Sequence, residues 1–206
     1  IGRGNLIGYI YHSMVYDLAG SERRRASAVH SLGRSKSPMA LERLVRALSD
    51  ASPEVRRQAA RGLGEARSAR ALEPLVEELQ DEESDIRGEA AEALGKIGHP
   101  AVVDPLVDAL EDPDERIQIS AIRALSELGS DEAAELLFWK FAESFDRSTF
   151  PTLADVLGRR RDLRIIRPVL QRLSGFHSTA IRLQLLNSVC RALGARGRYY
   201  RLVSQD

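Results

Sequence analysis

Apolar positions recur every 31 residues through the central part of the chain. A Leu followed by a small residue stands at Leu32, Leu63, Leu94 and Leu125, each 31 residues after the one before. Within each period the apolar residues follow two helical patterns, separated by a short polar turn. Two helices per repeat at a fixed period are the signature of an α-solenoid. We therefore predict an all-α fold, a solenoid of about six stacked antiparallel helical hairpins with atypical capping helices at both ends.

The helices of each repeat carry recognisable start and end signals. Ser52-Pro53-Glu54 supplies an N-cap, a proline at the first helical position and an acidic residue in the first turn. Ser21 and Pro38 open the two helices of the first repeat in the same way. Gly64 and Gly95 stand near the ends of first helices, where we expect them to serve the tight turn to the second helix.

The repeats divide the chain into three parts of one predicted solenoid over residues 1–206. Residues 5–19 are predicted to form an N-terminal capping helix, 21–145 four regular repeats, and 147–206 degenerate repeats with a C-terminal cap. The capping helix has an apolar stripe with a spacing of four residues, formed by Leu6, Ile10, Met14 and Leu18. The chain begins at Ile1 rather than at Met, so we expect it to be part of a longer protein.

Charge is distributed unevenly, although the net charge is zero. Residues 1–70 carry a net charge of +7, residues 71–146 of −16 and residues 147–206 of +9. An acidic middle between two basic ends predicts recognition of charged partners.

Little in the sequence indicates catalysis. Cys190 is the one cysteine and lies in an apolar helical run, so we expect it to be buried. Because a single thiol suits a reducing compartment, we expect a cytoplasmic location. No apolar run approaches the ~20 residues of a membrane span. The four histidines have no partner at metal-ligand spacing, and no nucleotide-binding or nucleophile motif is present. We therefore predict no catalytic residue, no metal and no cofactor.

The segment from Ser52 to Leu75, nearly repeated from Glu83 to Leu106, resembles HEAT repeats. It is most similar to the short type named after phycobilisome lyases. The resemblance implies an α-solenoid whose surfaces bind proteins. It also implies a bilin lyase-like subunit as an alternative function, for which Cys190 is the only reactive group available.

The HEAT resemblance further implies that an Asp in each inter-repeat loop supports an Arg six residues on. Asp50 and Arg56 have this spacing, as do Asp81 and Arg87. The next Asp is followed at the same distance by Gln118, so we expect the charge ladder to stop there.

Both ends of the chain carry a second resemblance. The Tyr-rich segment 5–19 and the segment 197–202 are similar to parts of HEAT-like regions fused behind transporters of the major facilitator class. This resemblance implies a further alternative, the cytoplasmic regulatory region of a membrane transporter, which meets the membrane only indirectly.

Two series of residues recur every 31 positions on the second helices, off the apolar stripe. The first series is acidic and consists of Glu42, Glu73, Asp104 and Glu135. The second lies one turn later and consists of three charged residues and an aromatic one: Arg46, Glu77, Asp108 and Trp139. Second helices line the concave side of a solenoid, at a spacing of about 10 Å. We predict a mostly acidic groove that binds a protein or peptide with a basic segment. The alternatives are a solvated polar face and, for Trp139, a place in the core.

A basic cluster near the C-terminal end is the second candidate site. It comprises Arg159, Arg160, Arg161 and Arg164, which suit an anion such as a phosphate. A solvated face is the alternative. Nucleic acid is not the expected partner, because the acidic middle interrupts any basic stripe. The basic ends also suit the acidic middle of another copy, which predicts salt-dependent self-association. The leading hypothesis remains a non-enzymatic scaffold or regulatory module that binds a partner on its concave face.

Overall fold

A computed structural model describes residues 3–18, 20–35, 38–143 and 148–194, with side chains for all of these except residues 3–7, 38 and 143. These ranges contain α-helices joined by short turns and no strand, which confirms the predicted all-α fold. The helices are α1 (Arg3–Leu18), α2 (Glu22–Arg34), α3 (Pro38–Ala47), α4 (Pro53–Ala66), α5 (Leu72–Glu78), α6 (Ser84–Ile97), α7 (Val103–Asp108), α8 (Glu115–Leu128), α9 (Asp131–Glu143), α10 (Phe150–Arg159), α11 (Ile166–Arg172) and α12 (Thr179–Ala192).

Contacts divide the chain into two compact units, residues 1–128 and 129–206. In the first unit the first helices of successive repeats, α2, α4, α6 and α8, each pack on the next. The second helices α3, α5 and α7 each pack against the first helix of the following repeat. In the second unit α10 packs against α9 and α12, and α11 packs against α12. The single solenoid over residues 1–206 stays a prediction.

The predicted start signals operate as expected in the second repeat. The side chain of Ser52 accepts the backbone N–H of Val55, and Pro53 occupies the first position of α4. Helix α4 ends in a left-handed residue, Arg67 with φ 49°, and α6 ends at Gly98 with φ 71°. These C-caps turn the chain toward the short second helices α5 and α7, which follow a single 3-10 turn.

The repeated leucines form the core of the first unit. Leu63, Leu94 and Leu125 are completely buried, and Leu32 is 1% exposed. Alanines at the preceding turn of each first helix are equally inaccessible, which lets neighbouring helices approach closely. The repeat period of the sequence is therefore the period of the buried layer.

The two glycines assigned to the turn have a different role. A Cβ on Gly64 would lie 2.7 Å from the Cα of Ala93, and a Cβ on Gly95 would lie 2.7 Å from the Cα of Ala124. Both glycines are therefore required where consecutive first helices cross, α4 on α6 and α6 on α8. The prediction that they serve the turn was wrong, since the left-handed residues of the turns come three residues later.

The core of the second unit is aromatic. The rings of Phe141 and Phe150 stack with centroids 4.7 Å apart, and Phe176 stacks on Phe150 at 5.9 Å. The guanidinium of Arg172 covers Phe150 and donates to the backbone carbonyl of Phe141. The predicted C-terminal cap beyond residue 194 lies outside the described residues, as does the segment 197–202 on which the transporter resemblance depends.

Helix α1 agrees with the predicted N-terminal capping helix and packs on α2 and α3. Three residues of its apolar stripe, Ile10, Met14 and Leu18, are nevertheless exposed rather than buried against these neighbours. None of the helices described here has the length and apolar character that a membrane crossing requires.

Candidate functional site

Six of the eight residues of the predicted polar ladder lie on second helices of the first unit. Glu42 and Arg46 lie on α3, Glu73 and Glu77 on α5, and Asp104 and Asp108 on α7, and all six side chains are exposed. We call the five carboxylates of this set the acidic face, namely Glu42, Glu73, Glu77, Asp104 and Asp108. No hydrogen bond or ion pair involves any of these five side chains within the described part of the chain.

A different set of carboxylates in the same unit is fully paired. Asp50 binds Arg25, Asp81 binds Arg56, and Asp112 binds Arg87, each through two hydrogen bonds of 2.7–3.2 Å. Each arginine lies on a first helix, 25 residues before the aspartate that it binds. Bidentate pairs of this kind are strong and geometrically specific. They tie each first helix to the loop that follows its own repeat.

The predicted spacing of this charge ladder needs correction. Arg56 does not bind the carboxylate six residues before it; its Nη1 donates to the backbone carbonyl of Asp50 at 3.0 Å. Arg87 makes the same contact with the carbonyl of Asp81. The carboxylate of Asp50 instead accepts the N–H of Ser52 at 2.9 Å, which fixes the loop before α4. The arginines are structural, as the resemblance implied, but through partners in the next loop.

The expected end of the ladder is confirmed. Gln118 replaces the arginine and, among the described side chains and backbone, keeps only the backbone contact, donating from Nε2 to the carbonyl of Asp112 at 2.7 Å. An amide is too short and lacks the charge to reach a further carboxylate as well.

Glu78 is the unusual carboxylate beside this ladder. Its Oε2 is inaccessible and has no hydrogen-bond partner in the described ranges. Burial, followed by the negative charge of Asp81, raises the pKa of Glu78 from 4.5 to about 7. For Asp81, burial alone would raise the pKa, but hydrogen bonds from Arg56 and from the N–H of Glu83 lower it. Near neutral pH, Glu78 is therefore only partly ionised, while Asp81 stays ionised.

In the second unit, two residues that were assigned to different sites bind each other. Arg164 donates two hydrogen bonds of 2.9 Å to Glu135 and is also held by Asp162. Its guanidinium lies 3.9 Å from the ring centroid of Phe138. Glu135 is thus neutralised, unlike the carboxylates of the acidic face, and Arg164 has its charge already satisfied.

Trp139 stands one turn along α9 from Glu135. Its side chain is 57% exposed and meets the edge of Phe138 with centroids 6.2 Å apart. The alternative that placed Trp139 in the core was wrong, because the neighbouring Phe141 fills that position.

The other three arginines of the basic cluster are exposed but differ in their contacts. Arg159 pairs with Asp155, and Arg160 pairs with Asp131. Arg161 follows the C-cap of α10 and has a left-handed conformation with φ 61°. Three of the four arginines, including Arg164, therefore have carboxylate partners within their own unit.

Groups suited to chemistry are sparse. No cluster of three or more His, Cys, Asp or Glu side chains that suits a metal ion occurs in the described residues. Cys190 on α12 is half-buried, so the expectation of a fully buried thiol was wrong.

Comparisons with known proteins agree with the repeat architecture. Residues 18–87 and 72–147 match the model of HEAT repeats, and together they make up more than half of the chain. No curated protein sequence matches the chain significantly.

Solved structures share the fold at low identity. YibA of E. coli is 21% identical, with a TM-score of 0.63 over 93% of this chain and 71% of that chain. A structure of the complex of CpcE and CpcF of phycocyanin lyase from Nostoc sp. PCC7120 is 20% identical, with a TM-score of 0.55 over 91% of this chain and 84% of that chain. A designed armadillo repeat protein in complex with the peptide (KR)4 is 18% identical, with a TM-score of 0.59 over 90% of this chain and 98% of that chain.

Proposed function

The chain belongs to the HEAT-repeat family, and from this premise we propose that it is a protein-interaction module. Its acidic face binds a segment of a partner protein that is rich in Lys and Arg. The observation that supports the proposal most is the difference between two sets of carboxylates. Those in the inter-repeat loops are paired with arginines, whereas the five of the acidic face have no ion-pair partner within the described residues.

The spacing of the acidic face suits an extended ligand. Each of α5 and α7 carries two carboxylates four residues apart, which places them on one side of the helix. Neighbouring helices of this kind lie about 10 Å apart, close to the span of three residues of an extended chain. Successive basic side chains can then meet successive helices. The designed armadillo repeat protein in complex with (KR)4 supports this proposal by analogy of fold.

Fluorescence anisotropy with a labelled (KR)4 peptide tests the proposal. We expect the chain to bind it at about 50 mM salt and to lose most of the affinity at about 300 mM, since exposed charges are screened. Reversing two charges of the acidic face, with Glu73→Lys and Asp104→Lys, should weaken binding at least about tenfold. Both side chains are exposed and have no partner among the described residues, so the fold should be unaffected.

A matched control separates the acidic face from net charge. Glu65→Lys with Glu127→Lys changes the charge by the same amount on exposed positions of the first helices α4 and α8. This variant should retain binding. Equal losses in the two double variants would mean that only net charge matters, and undiminished binding in the first would refute the proposal.

A second candidate function, bilin handling, follows from the likeness to the phycocyanin lyase complex. Cys190 is half-buried and is the one thiol that such a role can use. Native labelling of Cys190 by a thiol reagent, together with a change in bilin absorbance that Cys190→Ala abolishes, would support it. The interaction module predicts no absorbance change with either protein.

A further inference from the structure

Polar contacts fix the rotation of the N-terminal helix α1 about its own axis, and they lie on the side that faces the first repeat. The Tyr16 hydroxyl donates to Asp50 at 3.4 Å, and Arg43 of α3 pairs with Asp17 at 2.7 Å. Ser13 of the same helix is buried. The helix thus uses polar residues to attach to the first repeat.

The same setting turns its large apolar side chains outward. Ile10, Tyr11, Met14 and Leu18 are between 54% and 72% exposed. At about 100° per residue they occupy one continuous sector of the helix, also about 100° wide. This is the reverse of ordinary amphipathic packing, where the apolar sector faces the protein. A contiguous apolar surface of this kind marks an interaction site more often than a solvated end.

Three of these four side chains, Tyr11, Met14 and Leu18, line a groove of about 740 Å³ between α1 and α2. His12 and Val15 complete the lining on the α1 side. On the α2 side it is lined by Arg23 and Arg24, both exposed and without a carboxylate partner among the described residues. The site therefore combines an apolar wall with an uncompensated basic rim.

We propose that this groove, which we call the α1–α2 groove, binds an amphipathic helix with acidic flanks from a partner protein. An apolar groove between two helices accepts the apolar row of a third helix at spacings of three and four residues. Carboxylates beside that row would meet Arg23 and Arg24, which selects acidic helices over basic ones. The groove lies apart from the acidic face, so this inference does not rest on the function proposed above.

Two other occupants fit the groove less well. The apolar sector from Ile10 to Leu18 is only about 12 Å long. Two copies joined through it would bury far less than the ~800 Å² per partner of a stable interface. Such a pair would also bring the arginines of both copies together. A membrane surface favours a convex apolar face, whereas here the apolar wall is part of a groove.

Two synthetic helices serve as probes. Both have about 18 residues, a fluorescein label and leucines at positions that repeat every three or four residues; one carries Glu and the other Lys at the flanking positions. We expect the 206-residue chain to bind the Glu peptide at least about tenfold more tightly than the Lys peptide. Met14→Glu with Leu18→Glu should abolish binding of the Glu peptide. Arg23→Glu with Arg24→Glu should reverse the preference.

Matched controls use the same substitutions outside the groove. Leu163→Glu alters a leucine that is 58% exposed in the second unit, and Arg34→Glu alters an exposed arginine at the far end of α2. Neither should change binding, and all variants should keep the wild-type circular dichroism spectrum. The Glu73→Lys and Asp104→Lys variant should also bind the Glu peptide normally, which separates this test from that of the acidic face.

Three results would overturn the proposal. The first is equal binding, or no binding, of the two peptides. The second is a chain that binds phosphatidylserine vesicles but neither peptide, and whose Met14→Glu and Leu18→Glu variant no longer binds the vesicles. This result would assign the sector to a membrane surface. The third is a dimer in sedimentation analysis that the same variant dissociates, which would assign it to a second copy.

Discussion

Replacing Gly64 by alanine sets two opposing effects against each other. Alanine favours a helix over glycine by roughly 1 kcal/mol in a helix interior, and by less near a helix end such as that of α4. Against this, the new methyl group would lie 2.7 Å from the Cα and 2.8 Å from the Cβ of Ala93, where ordinary contacts begin at 3.4 Å. Helices α4 and α6 would have to separate by about 0.7 Å at this point.

The clash should decide the sign. Overpacking of a close interface costs typically 1–3 kcal/mol, and here the contact is with backbone, which cannot rotate away. We expect Gly64→Ala to lower the free energy of unfolding by about 1–2 kcal/mol. Gly88→Ala in α6 is the matched control, because its added methyl would meet only the ends of side chains, Ile117 Cδ1 at 3.3 Å and Ser120 Oγ at 4.0 Å. That variant should be stabilised by about 0.5–1 kcal/mol.

Urea unfolding followed by circular dichroism measures both effects through the transition midpoint. A second substitution, Ala93→Gly, should cost less stability in the Gly64→Ala background than in the wild type, because only there does it also remove one of the two clashing atoms. If Gly64→Ala is as stabilising as Gly88→Ala, or if Ala93→Gly costs the same in both backgrounds, the close approach of α4 and α6 is not what requires glycine at this position.

Three further predictions concern the ladder and the core. Arg56→Gln should keep the backbone contact, as Gln118 does in the fourth repeat, but lose the pair with Asp81. The free energy of unfolding should therefore fall by about 1–3 kcal/mol. The control Arg116→Gln, on the surface, should leave the urea midpoint unchanged. Because folding raises the pKa of Glu78 from 4.5 to about 7, the free energy of unfolding should fall as the pH rises from 4.5 to 7. Glu78→Gln should flatten this part of the stability profile, and the control Glu77→Gln should not. An unaltered slope in Glu78→Gln would contradict the assignment. Leu94→Ala should cost about 2–5 kcal/mol in the same unfolding assay, and a change below about 1 kcal/mol would mean that the repeat register is wrong.

The regular part of the fold could be predicted because local pattern and packing agree there. The 31-residue period places each leucine in the core, and Ser52-Pro53 starts a helix where an N-cap and a proline are both favourable. The exposure of Glu73 and Asp104 follows from the same period, because a residue off the apolar stripe of a second helix faces solvent.

Pairwise contacts between repeats could not be read from spacing in the same way. Asp81 is six residues before Arg87 and 25 after Arg56, and both separations repeat equally well along the chain. Only the stacking of one repeat on the next decides that Arg56 is the partner of the carboxylate. Glu135 and Arg164 were likewise assigned to separate sites, since nothing in their spacing shows that α9 and the turn before α11 bring them together.

Helix α1 shows most clearly where a periodicity argument stops. The stripe of Ile10, Met14 and Leu18 correctly predicts a helix, because a spacing of four residues is a property of the helix alone. Which side of the helix is buried depends on the competing attachment through Tyr16 and Asp17, and this attachment requires charges on α3 and in the next loop. Those contacts outweigh the burial of the stripe against α2 and α3, and Ile10, Met14 and Leu18 stay exposed. An apolar stripe therefore predicts that a segment forms a helix, but not which side of that helix packs against its neighbours.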